Sequence, residues 1–194
     1  MCNYLNAIKF IDFLSLFLYD LLKNKGENVL YTSTYSSPLG EILLTSDNIG
    51  LTGLWINDNK FYTQNSTNEY RSKQTQEIVS AKRWLDVYFD GKVPSFTPPL
   101  HMTGSDFSLS VWQILLSIPY GKTTTYGEIA RQIAKNRGIS KMSAQAVGGA
   151  VGRNSIAIII PCHRVIGTDG TLVGYTGGLD IKKRLLKLEN SDKI

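Results

Sequence analysis

Apolar and polar positions change rhythm along this chain, and each rhythm predicts a different element. From Tyr35 onward, "SPLGEILLTSDNIGLTGLWI" sets two apolar runs on either side of a polar Ser-Asp-Asn segment, which predicts a β-hairpin. Between residues 72 and 89 the period lengthens: Ile78, Ala81, Trp84, Leu85 and Tyr88 recur three and four apart and form one face of a helix. The stretch "GKVPSFTPPLHMTG" interrupts both patterns with Pro and Gly and predicts a linker. A helical period resumes in "DFSLSVWQILLSI", with Val111, Trp112, Leu115 and Leu116 facing inward and Pro119 with Gly121 as the stop. Thr125 precedes Glu128 by three residues, a capping box that opens another helix, whose stripe of Ile129, Ala130, Ile133 and Ala134 runs until Gly138 breaks it. Ser143 is a good N-cap for a second short helix through Ala146, Val147, Ala150 and Val151. Such a pair suggests helix-turn-helix, although the link "KNRGISKMS" is longer than the usual turn. Further on, Ala157, Ile158, Ile159 and Ile160 form an unbroken apolar run that predicts a buried strand.

These elements divide the chain into an N-terminal extension (1–30), an α/β domain (31–100) and a C-terminal domain (101–190). The opening "FIDFLSLFLYDLL" is apolar, but Asp12 and Asp20 interrupt it and no small-residue cleavage site follows, so it does not read as a signal peptide. It is also too short to span a bilayer, and it predicts an added amphipathic helix lying on the body. A chain of 194 residues with 42% hydrophobic content can bury a real core, as a globular soluble protein.

Charge is unevenly placed. Residues 106–194 hold 12 Lys and Arg against 6 Asp and Glu, while residues 1–105 hold 9 against 10. A basic half suggests a polyanionic partner such as nucleic acid, and equally a solubilising surface; composition leaves both open. Cys2 and Cys162 are the only cysteines, which argues against a disulfide framework and fits a reducing cytosol. With His101 and His163 they number a Cys2His2 set, but the spacing matches no zinc pattern, and adjacent Cys162 and His163 would be awkward joint ligands. No metal is expected. Gly148 and Gly149 lie inside a predicted helix, where each costs about 1 kcal/mol relative to Ala. Tight packing against another helix is the plainer compensation; close approach of a partner is the other.

The chemistry gathers at "PCHR". Cysteine after an apolar run is most often an inert buried thiol. Here Pro161 removes a backbone donor and is expected to end strand pairing, aiming Cys162 toward a cavity. His163 and Arg164 supply a base and a positive charge, both of which favour thiolate. On an extended chain neighbours point to opposite sides, so a water is expected to bridge Cys162 and His163. A carboxylate behind the imidazole would orient it. Asp169 sits in a "TDG" turn and Asp180 in the first turn of a helix, each with an ordinary structural reason. Glu189, at the end of that helix where the macrodipole disfavours an acid, has the least structural reason to be there and is the choice.

The string "IPCHRV", with "AVGGAVGRN" before it and "GYTGG" and "LLKLE" after it, resembles the O6-alkylguanine-DNA alkyltransferase family, from about Ser37 to Glu189. The resemblance implies an α/β (α+β) fold, a ribonuclease H-like sheet-and-helix domain followed by a helical domain with a winged helix-turn-helix-like DNA-binding motif. It implies a cytoplasmic, monomeric DNA-repair protein that flips O6-alkylguanine, with O4-alkylthymine as a second candidate lesion, out of double-stranded DNA and moves the alkyl group irreversibly to Cys162, once per molecule, without a cofactor. Carried over by position, His163 is the base acting through water, Glu189 orients it, Asn154 ties the helix-turn-helix to the active-site loop, and Tyr126 helps rotate the nucleotide and hydrogen-bonds the guanine O6. Carbonyls of Cys162 and Val165 read the exocyclic amine, Pro161, Val165, Tyr175 and Thr176 line the alkyl-base pocket, and Ser108, Gly127, Gln145, Gly148, Arg164 and Thr168 meet DNA.

Gln145 departs from the family, many of whose members place there an arginine that fills the gap left by the flipped base; glutamine fills space without charge, which implies a weaker hold on DNA. The rival readings are a lesion sensor that binds damaged DNA without reacting, and a cysteine hydrolase indifferent to DNA.

Overall fold

The computed structural model describes residues 29–57 and 69–189; the predicted N-terminal helix lies outside the described residues. Strands β1 (Val29–Ser37), β2 (Gly40–Ser46) and β3 (Leu51–Ile56) form an antiparallel meander, and β4 (Glu69–Ser72) pairs in parallel with β1, giving the order β3-β2-β1-β4. The Ser-Asp-Asn segment is indeed the turn of a hairpin, held by Asp47 Oδ1 accepting the amides of Ile49 at 2.8 Å and Gly50 at 3.0 Å. β1 escapes the hydrophobic pattern because it is rich in Ser and Thr, with only Thr32 buried.

Helix α1 (Gln76–Phe89) starts later than residue 72 because Thr75 caps it, its hydroxyl accepting the Ile78 amide. Its buried face is Ile78, Ala81, Trp84, Leu85 and Tyr88, as the periodicity predicts. In the C-terminal part, α2 (Asp106–Leu116) buries Val111, Trp112, Ile114 and Leu115, while Leu116 is only half-buried. The predicted capping box is present at the start of α3 (Tyr126–Arg137), and Gly138 ends that helix at a φ of 64°. Helix α4 (Ala144–Gly152) is capped by Ser143 and docks on α2 through Trp112 Nε1, which donates to Ala150 O at 2.9 Å.

Two-residue strands β5 (Thr124–Thr125) and β6 (Val165–Ile166) pair in parallel, so the start of α3 is fixed beside the segment that follows Cys162. Helix α5 (Leu179–Leu188) closes the described chain. The halves share one core: Leu54 N–H donates to Ser155 O at 2.8 Å and Ala157 N–H to Leu54 O at 3.2 Å. No described helix is long and apolar enough to cross a membrane.

The predicted strand at Ala157–Ile160 is not one. Ile156 alone bridges to Leu54, and the rest is a buried turn with Ile158 at a φ of 66°, a conformation that β-branched residues rarely adopt. A run of isoleucines reads as strand because burial and β-branching signal both; the turn is fixed by Asn154, whose Nδ2 donates to Ile160 O at 2.8 Å and whose Oδ1 accepts the Ile156 amide at 3.0 Å.

Candidate active site

With no ladder to leave, Pro161 does a different job. At φ −81° and ψ 63° it is the centre of an inverse γ-turn, closed by Cys162 N–H donating to Ile160 O at 2.8 Å. The chain then enters a 3₁₀ turn, Cys162–Arg164. Successive side chains there project roughly 120° apart, so the opposition expected of an extended chain does not hold.

Cys162, 7% exposed, opens onto a hollow of about 250 Å³ lined by Tyr126, Gly148, Val151, Gly174, Tyr175 and Thr176. That is slightly below the roughly 300 Å³ at which small-molecule pockets usually begin. The hollow therefore joins the first residue of α3, the glycine of α4 and the sulfur. Tyr126 donates its hydroxyl to Val173 O at 3.3 Å across the loop that forms one wall.

Behind the sulfur lies a buried polar cluster. His163 Nε2 donates to Glu189 Oε1 at 2.7 Å, which makes Glu189, of the three carboxylates weighed, the one that reaches the imidazole. Asp169 instead accepts the Thr171 amide within its turn, and Asp180 stays in the first turn of α5. Arg164 forks onto the same carboxylate, Nε to Oε2 at 2.9 Å and Nη2 to Oε1 at 3.0 Å, and its Nη1 donates to Ile118 O at 2.6 Å. Gly121 N–H adds a bond to Oε2 at 3.2 Å, and the Tyr88 hydroxyl one to Oε1 at 2.7 Å. Burial alone would raise the Glu189 carboxyl, but the His163 hydrogen bond and the Arg164 guanidinium outweigh it and hold it far below the usual carboxylate range. Burial lowers His163 despite Glu189, keeping the ring neutral. Its Nε2 being the donor, Nδ1 carries the lone pair, and that atom is buried with no protein partner among the described residues.

Burial also pushes the Cys162 thiol up; the Asn154 side chain, the Lys182 charge and the amides of Cys162 and His163 oppose this without cancelling it. Arg164 is thus not the charge that serves the sulfur. Its fork is spent on Glu189, it is 7% exposed, and it does not present itself to DNA as the resemblance implied. Lys182 takes that place, fully buried, donating to Val165 O at 2.6 Å and Val173 O at 2.8 Å, its pKa lowered by burial to about 8 despite the opposing pull of Cys162. Sequence reasoning passed over Lys182, yet a signal was present: with Leu185, Leu186 and Glu189 it lies on one helical stripe, a cation where an apolar residue belongs.

Other expected positions divide. Tyr175 and Thr176 line the hollow; Pro161 lines a separate one beside Ile118 and Arg164, and the Val165 side chain is wholly buried. The Cys162 carbonyl already accepts the Val165 amide, and that of Val165 accepts Lys182. Ser108 is 2% exposed, its hydroxyl accepting from Ser105 at 3.1 Å, so its side chain is not on the surface. Gln145 and Thr168 are exposed and Gly127 half-buried. A Cβ at Gly148 would meet the Tyr126 ring at an ordinary 3.7 Å, and one at the exposed Gly149 would meet only the tip of Arg153 at 3.3 Å. Helix packing therefore does not require either glycine, and access to the helix face is the reason left. Among the described residues no group of three His, Cys, Asp or Glu is arranged to hold a metal.

Comparison with known proteins agrees with this geometry. Residues 30–102 match the family model of the 6-O-methylguanine DNA methyltransferase ribonuclease-like domain, and residues 106–191 that of its DNA binding domain. The methylated-DNA–protein-cysteine methyltransferase of Methanosarcina acetivorans is 44% identical over 84% of this chain and 99% of its own. The O6-methylguanine methyltransferase structure from Mycobacterium tuberculosis superposes with a TM-score of 0.70 at 39% identity, covering 84% of this chain and 93% of that one. A Mycobacterium tuberculosis OGT structure in complex with DNA gives 0.68 at the same identity and the same coverage. The chain belongs to the O6-alkylguanine-DNA alkyltransferase family.

Proposed function

We propose that this protein repairs DNA by taking the alkyl group of O6-alkylguanine onto Cys162, as its methylated-DNA–protein-cysteine methyltransferase relatives are named for doing. The observation that carries the reading is a cysteine at the floor of a hollow walled by both helices of a helix-turn-helix, followed in the chain by a neutral imidazole whose buried second nitrogen is unprotonated and free of protein partners among the described residues. A base in duplex DNA can enter the hollow only by leaving the stack, and extrusion costs least when that base is already damaged and poorly paired.

In the reaction a sulfur–carbon bond forms at Cys162 as the carbon–O6 bond breaks. The thiol proton passes to His163 Nδ1 and is handed on through solvent to the ring of the departing guanine as the O6 carbonyl reforms, so the thiol and the O6-alkylguanine become a thioether and guanine with no proton gained or lost overall. Because the resting thiol is held protonated by burial, the base is needed for every transfer. Tyr126, Tyr175 and Thr176 receive the base; Gly148, Gln145 and Gly127 stand where the duplex approaches, with Thr168 on the exposed loop beyond β6. A thioether has no easy hydrolytic exit, so each molecule acts once. The reading places the protein in the cytoplasm as a monomer, with residues 31–100 supporting a reactive domain that starts near residue 101.

Intact-protein mass spectrometry after incubation with a duplex carrying O6-methylguanine tests this. A gain of one methylene on Cys162, absent in Cys162→Ala, is expected. Tight binding with unchanged mass would make the protein a lesion sensor instead.

A further inference from the structure

The buried face of α1 is apolar except at one point. Tyr88 is fully buried, its ring stacked on Trp84 at 5.1 Å and met edge-on by Tyr120 at 6.0 Å, an environment that phenylalanine would fill equally well. A hydroxyl in such a place must find a partner. It finds Glu189, 101 positions along the chain, at 2.7 Å, and lies 3.5 Å from His163 Nε2. Oxygen Oε1 thus accepts from Tyr88, from His163 at 2.7 Å and from Arg164 at 3.0 Å. A carboxylate oxygen has two lone pairs, so three donors on one oxygen fix each other's positions.

We propose that Tyr88 is a positioning residue for the transfer: its hydroxyl, supplied by the N-terminal half, holds Glu189 in the orientation that keeps His163 protonated at Nε2 and bare at Nδ1. This rests on the alkyl-transfer reading above. The charged surroundings of the imidazole are otherwise Arg164, which forks onto the same carboxylate, and Lys182, both of which oppose a second proton on His163, while the phenols of Tyr120 and Tyr175 each sense the Glu189 charge. Without the Tyr88 hydroxyl, Oε1 has one donor fewer and concentrates its charge on the imidazole N–H. His163 then holds a second proton more tightly, and the carboxylate is freer to turn.

The test is Tyr88→Phe, which keeps the ring and removes only the oxygen. The protein has just two histidines, so the imidazole ¹⁵N signals of His163 are easily separated from those of His101. Expected are an upward move of the His163 titration, single-turnover methyl transfer from the duplex slower by about tenfold, the effect of losing a group that orients a reactive imidazole, and unchanged duplex binding. A Tyr88→Phe protein that only melts earlier, with His163 titrating as in the wild type, overturns the proposal. So does a wild-type spectrum with the proton on Nδ1. A wild-type protein that takes no methyl group from the duplex overturns the function proposed above instead, and the imidazole titration still decides Tyr88.

Discussion

Single side chains in this site do work that their sequence neighbours do not reveal. Lys182 is the clearest case: one ammonium pins Val165 and Val173 and supplies a positive charge that favours the Cys162 thiolate. Its loss should raise the thiol pKa, since the cation favours the thiolate. In Lys182→Met the pH midpoint for alkylation of Cys162 by a small electrophile is therefore expected to move up, and alkylation at neutral pH to slow as the thiolate fraction falls. A midpoint that stays put, or falls, would remove Lys182 from the chemistry. Glu189 could be chosen from sequence because an acid at a helix C-terminus breaks an electrostatic rule, and Lys182, a cation on an otherwise apolar stripe, carries a signal of the same kind, whereas Tyr88 falls where the helical stripe invites it to be read as core. A residue that breaks a local rule, as Glu189 and Lys182 do, carries a signal in the sequence; one that fits a periodic pattern, as Tyr88 does, hides within it.

At the scale of elements, the helices were readable because caps and apolar stripes are local, and the capping box at Thr125 and the cap at Ser143 set their starts as the sequence indicated. The segment carrying the sulfur was not readable as such. Its turn depends on Asn154 and on a left-handed isoleucine, both of them tertiary choices that override the strand preference of four apolar residues. Helix α4 gives a prediction of opposed signs. Gly149→Ala adds a methyl group at an exposed position where only the flexible tip of Arg153, 3.3 Å away, has to shift slightly, so the free protein should gain roughly 0.5–1 kcal/mol in denaturant melts. If the duplex presses on this face of α4, as proposed, the same methyl group stands in its way, and affinity for DNA should fall severalfold. If binding is unaffected, the access argument for that glycine fails.

For the molecule as a whole, one hydrophobic core and the Tyr88–Glu189 bond join the halves, so thermal unfolding is expected to be a single cooperative transition. His163 adds a pH term whose sign is fixed by its lowered pKa. The unfolded chain takes up a proton near the ordinary value of 6.5 that the folded state refuses, so stability falls as pH drops below that value. Melting temperatures measured between pH 8 and pH 5 should show this decline in the wild type and a smaller one in His163→Gln.

The pairing of β5 with β6 has a mechanical corollary. Two rungs weld the start of α3 to the residues just past the sulfur, so the part proposed to grip the double helix and the part proposed to react are tied directly together. Reach is then a ruler of constant length, and it is the nucleic acid that has to bend to meet it. Lesions should be served in order of how cheaply their surroundings deform, with pliant pyrimidine–purine steps ahead of stiff adenine tracts even though no side chain reads those flanking letters.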